Sequence, residues 1–343
     1  MMREVPLDEA VGMVIAHDVT EIRPGEFKGA AFKRGHVVRC RDLEYLRRLG
    51  REHLFLIEPD PDELHEDDAA LEMAEALCGS GVRCGGAPRE GKVDLKAKIR
   101  GLLKVDVDAL LEFNSLGEVM CATLHTNTPV TRGQVVGATR AIPLLIKKNM
   151  VDEACNIARS RGGILKILPF KRVRAGILIT GNEVYYGRIE DRFEPIIKKK
   201  VEAYGGKVSE VLMVPDDEER IAISAVDLLA RGADVIITTG GMSVDPDDKT
   251  RKGLAMAGAR DMVYGSAVLP GAMFMIAYLA GRPVLGVPAC GLYHEATIFD
   301  LIYPRILTGE RITRREVAEL GHGGLCLHCE PCRFPVCPFG KSS

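Results

Sequence analysis

Apolar residues follow two different rhythms along this chain. From Arg174 onward, the runs Ala175 to Thr180, Lys207 to Val214, Ala233 to Thr238 and Val284 to Val287 are dense in aliphatic and β-branched residues. Runs of that kind predict strands, and near-continuous ones predict strands buried on both faces. Between them the spacing is helical. Phe193, Ile196, Ile197, Val201 and Tyr204 lead to Gly205-Gly206, while Ile221, Ala225, Leu228 and Leu229 fall within an Asp216 to Ala230 segment that opens on carboxylates and stops before Gly232. A short helix to Ala257 and a longer one over Leu292 to Leu307 complete the alternation. Strand and helix in turn predict βαβ units with right-handed crossovers, hence a three-layer α/β fold on a mostly parallel sheet.

Ahead of Arg174 the pattern is irregular. Residues 1 to 58 mix short apolar runs with Gly and Pro around a predicted helix from Asp42 to Leu49, ended by Gly50. The acidic run Glu58 to Asp68 reads as a solvated linker or a helix N-terminus rather than a site, a helix follows near Asp67 to Cys78, and the Gly-rich stretch Gly79 to Gly91 reads as loop. Residues 92 to 168 hold short strands around turns, with a helix over Met150 to Ser160 stopped by Gly162-Gly163. The expected division is an amino-terminal α+β region over residues 1–168, in one or two subdomains, an α/β domain over 170–312 and a Cys-rich tail over 313–343.

Composition narrows the partners. At 343 residues the chain exceeds a typical single domain. With 46 Lys+Arg against 48 Asp+Glu it has no charge-based case for nucleic acid or an anionic membrane, and the lack of Trp weakens stacking on bases. A small molecule is the expected ligand. Met1 to Ala10 lacks the basic and apolar regions of a signal peptide, and the apolar stretch Leu269 to Ala280 is too short to span a bilayer, so a cytoplasmic protein is expected. In that compartment the ten cysteines read as buried small side chains, reactive thiols or metal ligands rather than as disulfides.

Four polar loops follow the four predicted strands: Thr180-Gly-Asn-Glu183, Pro215-Asp216-Asp217, Thr239 to Asp248, and Pro288-Ala-Cys-Gly291. All lie at carboxyl ends, where open α/β sheets bind ligands, so they are expected to converge on one crevice. Taken singly, Asp216 reads as a helix cap and Gly181 as a turn. In the third loop Gly240 and Gly241 permit close approach of backbone N–H groups to an anion, and Asp245, Asp247 and Asp248 are hard oxygen ligands suited to Mg²⁺. Phosphate with magnesium is the predicted chemistry. His125 and Asn127 read as ordinary hairpin residues outside the site.

In order and spacing, Thr180-Gly-Asn-Glu183, Gly187-Arg-Ile-Glu-Asp191, Asp216-Asp217, Thr239-Gly-Gly-Met-Ser-Val244, Leu269-Pro-Gly271 and Pro283-Val-Leu-Gly-Val-Pro288 resemble the molybdopterin-binding domain superfamily over about residues 170 to 312. That superfamily includes molybdopterin molybdenumtransferases, molybdopterin adenylyltransferases and the amino-terminal domain of competence-damage-inducible proteins. The resemblance implies molybdopterin or its adenylate as ligand and a role in molybdenum cofactor biosynthesis. It implies binding by Thr180, Gly181, Asn182, Asp191, Thr239, Gly240, Gly241, Ser243, Pro270, Gly271 and Pro288, active-site acids at Glu183, Asp217 and Asp248, and Mg²⁺ on Asp245 and Asp248. Molybdate as a second substrate, delivery to a molybdoenzyme and a homo-oligomer belong to the same expectation. The chain departs from the molybdenumtransferase pattern in five places. Asp245-Pro246 replaces Gly-Glu, Leu269 and Ala272 replace two lysines, Ala289-Cys-Gly291 replaces Gly-Asn-Pro, Asp191-Arg-Phe193 replaces Asp-Ser-Asn, and the carboxyl-terminal β domain is expected to be missing. Tyr186-Gly-Arg-Ile189, Asp216 to Ile221 and Pro246 to Thr250 resemble the competence-damage-inducible pattern instead. That likeness implies Mg²⁺-dependent cleavage of a nucleotide pyrophosphate by Asp216, Asp217 and Asp248. A non-enzymatic cofactor carrier or scaffold is the third reading.

Beyond the last helix, Cys326-x2-Cys329-x2-Cys332-x4-Cys337-Pro338 places four thiols within a dozen residues. Such spacing suits one soft metal, either zinc or an iron–sulfur cluster, the alternative being free thiols in a disordered tail. The tail is expected to add little to the core of the sheet.

Overall fold

The apolar runs after Arg174 become four parallel strands of a six-stranded sheet in the computed structural model, which describes residues 2–23, 25–57, 60–242 and 248–341. In spatial order the strands are Lys207–Val214, Arg174–Thr180, Val235–Thr239, Arg282–Val287, Met275–Leu279 and Arg260–Tyr264; the last two run antiparallel. Alternation along each strand divides the side chains between two faces. Ile177, Ile179, Ile237 and Leu285 pack with Ile197, Val201, Phe299 and Ile302 of the helices Phe193–Ala203 and Ile298–Thr308. On the other face Leu178, Ile236, Met275 and Val284 pack with Ile221, Ala225, Leu228 and Leu254 of the helices Glu218–Ala230 and Thr250–Met256. This is the expected three-layer α/β arrangement. Each such side chain contributes about 1.5–3 kcal/mol on full burial, an upper estimate because the unfolded chain is already partly collapsed.

The carboxyl-terminal segment is more closely joined to this sheet than its sequence suggests. Val317 of the helix Arg314–Glu319, Leu320 and Phe339 are buried in the same apolar cluster as Ile177 and Phe299. The expectation of a tail adding little to the core is corrected on that point, because three scattered residues, two at one short helix and its end and one aromatic close to the chain end, carry the packing and leave no periodic signal.

Two compact units make up the chain: residues 1–98, 105–124 and 132–166 in one, and 99–104, 125–131 and 167–343 in the other. Within the first, Val82–Cys84, Lys92–Ala97, Val135–Ala141 and Val119–Thr123 form an antiparallel sheet in that order, with the helix Glu66–Leu77 against it. Its amino-terminal part pairs Met2–Pro6 with His53–Ile57 and Val19–Arg23 with Phe27–Phe32 around Leu7, Ile15, Val19, Leu46 and Leu54. The predicted linker contains a strand, Glu63–His65, and the predicted Gly-rich loop contains Val82–Cys84. In the second unit Gly101–Leu103 pairs antiparallel with Thr128–Val130. No helix among the described residues is long and apolar enough to cross a membrane.

Candidate functional site

A cavity of about 960 Å³ opens at the carboxyl ends of the parallel strands, where three of the four polar loops contribute to its wall. Parallel register fixes this: Thr180 and Thr239 end neighbouring strands whose partners run Ile177 to Ile237, Leu178 to Thr238 and Ile179 to Thr239, and Val287 ends the next strand opposite Thr239. The chain therefore turns from buried strand to loop at the same level three times.

The third loop leaves its strand through two glycines. Gly240 has φ +86° and Gly241 φ +55°. A Cβ on Gly240 would lie 2.0 Å from the Thr180 carbonyl oxygen, and one on Gly241 would lie 2.2 Å from Thr250 Oγ1. Both the backbone conformation and the close approach require glycine here. The same loop is held at its two ends by hydroxyls. Thr180 Oγ1 donates to the Thr239 carbonyl at 3.2 Å and lies 2.7 Å from Thr250 Oγ1 in the first turn of the helix that follows.

Of the residues that the sequence singled out, Thr180, Glu183, Asp191, Thr239, Gly240, Gly241, Asp248, Pro270, Gly271 and Pro288 all line this cavity. Gly181, Asn182 and Asp217 are not among its lining residues. Asp217 is the N-cap of the helix Glu218–Ala230, its Oδ1 accepting from Arg220 N at 2.8 Å. Asn182 and Asp216 bond each other reciprocally: Asn182 N donates to Asp216 Oδ2 at 2.9 Å and Asp216 N to Asn182 Oδ1 at 3.3 Å. The Asp216-Asp217 pair is thus occupied in joining the first loop to the next helix. Ser243 and Asp245 lie outside the described residues.

Asp248 carries the most informative polar group of the site. Its Oδ2 is buried and has no hydrogen-bond partner among the described residues. A buried carboxylate oxygen is costly unless paired, so one facing a cavity marks the place of a cation or a donor. Among the described residues, the lining carboxylates Glu183, Glu190, Asp191 and Asp248 are accompanied by a single lining cation, Arg192. Asp191 also caps the helix Phe193–Ala203 through its neighbour, Oδ2 accepting from Glu194 N at 2.8 Å. An anionic ligand entering this wall meets net negative charge, which a divalent ion on the carboxylates reduces. Among the described residues no three carboxylates converge on one point, so it is the orphan oxygen and the glycine-rich backbone alone that fit Mg²⁺ with phosphate.

Sequence reasoning missed the apolar half of the wall. Val184, Ile189, Phe193, Met273, Leu292 and Tyr293 line the cavity beside the acids. Phe193 reads in sequence as an inward helix residue, and only its place in the first turn, beside the loop, turns it to the crevice. Tyr293 is 81% exposed and follows directly on the last loop, a signal that an aromatic next to a ligand loop supplies. Cys290 also lines the cavity, and burial raises its thiol above its ordinary value, which disfavours the thiolate.

Comparison with known proteins covers the same segment. Residues 176–307 match a family described as a probable molybdopterin binding domain, and residues 4–58 match a domain of unknown function (DUF8806). A CinA-like protein of Syntrophus aciditrophicus is 37% identical over 97 residues, 28% of this chain and 23% of that protein. A molybdopterin molybdenumtransferase of Synechococcus elongatus is 23% identical over 214 residues, 58% of this chain and 49% of that protein. The chain thus spans less than half of the length of either of these curated relatives. Among solved structures, the tungsten cofactor synthesizing protein MoaB from Pyrococcus furiosus is similar at 20% identity and a TM-score of 0.32, over 41% of this chain and 99% of that one. By the family match, residues 176–307 of this chain form a domain of the molybdopterin-binding superfamily.

Proposed function

We propose that the crevice binds molybdopterin or its adenylate as a step in molybdenum cofactor biosynthesis, with Mg²⁺ between the ligand's phosphate and Asp248. The unpaired, buried Asp248 Oδ2 at the mouth of the glycine loop carries this reading. Glu183 and Asp191 line the same cavity without converging with Asp248 on one point, so the ion would complete its shell from phosphate and water oxygens and offset phosphate charge against the acidic wall. Backbone around Gly240 and Gly241 takes the phosphate, while Phe193 and Tyr293 offer apolar faces to the flat ring system. A volume of about 960 Å³ is at the upper end for small-molecule pockets and suits a dinucleotide-sized ligand. Leu269 and Ala272 stand where the resembling molybdenumtransferases carry lysines, so binding and transfer of the pterin is the reading adopted, without molybdate insertion.

Calorimetric titration with molybdopterin and with its adenylate, each with and without Mg²⁺, tests this. Binding is expected to need Mg²⁺, and Asp248→Asn, similar in size, is expected to remove the Mg²⁺-dependent part while leaving the fold intact. Failure of well-folded protein to bind either compound overturns the proposal. The nucleotide pyrophosphatase reading stands second, because Asp216 and Asp217 are engaged as caps away from the cavity. Turnover of ADP-ribose or adenylated compounds, read as release of AMP by chromatography, would restore it to first place.

A further inference from the structure

The loop that carries the four tail cysteines is pinned at both ends to the sheet unit. At one end Leu269 N donates to the Gly324 carbonyl and Cys326 N to the Leu269 carbonyl, both at 2.8 Å, a parallel bridge between Leu269 and Leu325. At the other, Phe339 is only 3% exposed, Gly340 N donates to the Gly323 carbonyl at 2.9 Å, and Lys341 Nζ donates to Thr128 Oγ1 at 2.8 Å. The dozen residues between contain no helix or strand and leave Leu327 and Val336 exposed at 68% and 84%. Phe334 and the partly buried Cys326, Cys332 and Cys337 pack against the core, but the loop has no regular ladder of its own, so coordination would be a further source of order.

That source is visible in the cysteines. Cys326, Cys329, Cys332 and Cys337 line one cavity of about 30 Å³, walled on its apolar side by Phe334 and Phe339. Cys326 Sγ accepts from His328 N at 3.5 Å within the first C-x2-C, with His328 in the left-handed conformation at φ +52°. A backbone N–H directed at a sulfur orients it and stabilises its charged form, the role of outer-shell hydrogen bonds in thiolate centres. All four thiols open onto this one small cavity, an arrangement that suits a single ion with four soft ligands. Among the described residues no three His, Cys, Asp or Glu side chains stand converged on a point, so closure requires the thiols to rotate about χ1 within the cavity wall.

We propose that Cys326, Cys329, Cys332 and Cys337 bind one zinc-class ion as four thiolates, and that this centre braces the Leu269–Gly271 wall of the crevice. The coupling is short. Cys326 donates its own N–H to Leu269, and Leu269, Pro270 and Gly271 line the large cavity. Metal-held loops draw their folding free energy from coordination, so removal of the ion is expected to loosen the bridge as well as the loop. The inference does not depend on what the crevice binds.

Titration of the reduced full-length protein with Co²⁺ under argon reads the centre directly. Uptake of about one ion per chain is expected, with the strong visible bands of tetrahedral cobalt thiolate, bleached by stoichiometric Zn²⁺. Hydrogen exchange on the same protein is expected to show the Leu269 and Cys326 amides at least tenfold slower with metal than after chelation. Cys337→Ser is expected to weaken the bands and to shift their position, provided circular dichroism shows the α/β unit intact; the wild-type spectrum stands whatever that variant does. Three results overturn the proposal. One is absence of cobalt–thiolate bands in reduced protein, and another is iron with acid-labile sulfide in protein purified anaerobically. The third is disulfides among the four cysteines that persist under mild thiol reductant.

Discussion

The hydroxyls of Thr180 and Thr250 lie 2.7 Å apart, although 70 residues separate them in the chain. Thr180 ends a parallel strand and Thr250 starts the helix after the ligand loop, so this one bond fixes where the loop leaves and where it returns. Thr180 also donates to the Thr239 carbonyl, which leaves Thr250 as donor in the pair. The two positions are therefore unequal. Thr250→Val removes one bond and leaves Thr180 paired, at an expected cost of about 1 kcal/mol, whereas Thr180→Val orphans the buried Thr250 hydroxyl and costs about 1–3 kcal/mol. Urea unfolding of the two variants checks the order; equal or reversed costs contradict the assignment of donor and acceptor.

Glycine at 240 answers two separate demands, and they can be told apart. Gly258, at φ +95°, has nothing within 4 Å of a Cβ, so Gly258→Ala bears only the conformational cost of about 1–2 kcal/mol. Gly240→Ala bears the same cost and in addition drives a Cβ to 2.0 Å from the Thr180 carbonyl, where backbone must yield. Its expected loss is greater by about 1–3 kcal/mol, together with weaker ligand binding. Similar midpoints for the two variants in thermal denaturation would mean that the loop is not packed against Thr180.

Much of this architecture is legible in the sequence, and the gaps have physical causes. Strands buried on both faces write themselves as apolar runs, which is why Ala175 to Thr180, Ala233 to Thr238 and Val284 to Val287 are readable, and why their loops can be assigned to one crevice. Met275–Leu279 and Arg260–Tyr264 are strands too, but the first merges into the apolar stretch from Leu269 and the second alternates only weakly. Asp217 looks like a catalytic acid and is a helix cap, since one carboxylate at a strand–helix junction serves either purpose. In the apolar wall, Phe193 and Leu292 have no sequence signature distinct from core packing.

Acid sensitivity is expected to concentrate at Glu310. Burial works to raise its carboxyl, but hydrogen bonds from Lys104 and Arg305 outweigh it and hold the group below its ordinary value of 4.5. The ion pairs measure 2.6 Å to Lys104 and 2.9 Å to Arg305. Burial in turn pulls the Lys104 ammonium below its ordinary value, which the carboxylate only partly offsets. With a depressed folded pKa, the Glu310 contribution is fully present above pH 4.5 and is lost as pH falls through the lower folded value. Glu310→Gln is expected to cost about 1–3 kcal/mol at pH 7 and to flatten the acid limb of the stability profile. A variant whose acid limb has the wild-type slope removes Glu310 from that role.

Phe339 gives the last test, because it decides whether the tail belongs to the sheet unit or merely follows it. Its ring is 3% exposed, meets Phe334 edge-on at 6.2 Å between centroids, and sits in the cluster that includes Phe299 and Ile302. Val336, three residues earlier, is 84% exposed and serves as the control. Phe339→Ala deletes a buried ring and leaves a cavity against the main core, at an expected cost of about 3–5 kcal/mol, while Val336→Ala stays within about 0.5 kcal/mol of wild type. Both are to be measured on metal-free protein, so that coordination by the neighbouring cysteines does not enter. The α/β unit should still unfold in one transition, at a lower denaturant midpoint, since Phe339 packs on the same residues as the central strands. If Phe339→Ala leaves that midpoint unchanged, the tail contributes nothing to the core and its order must come entirely from the thiols.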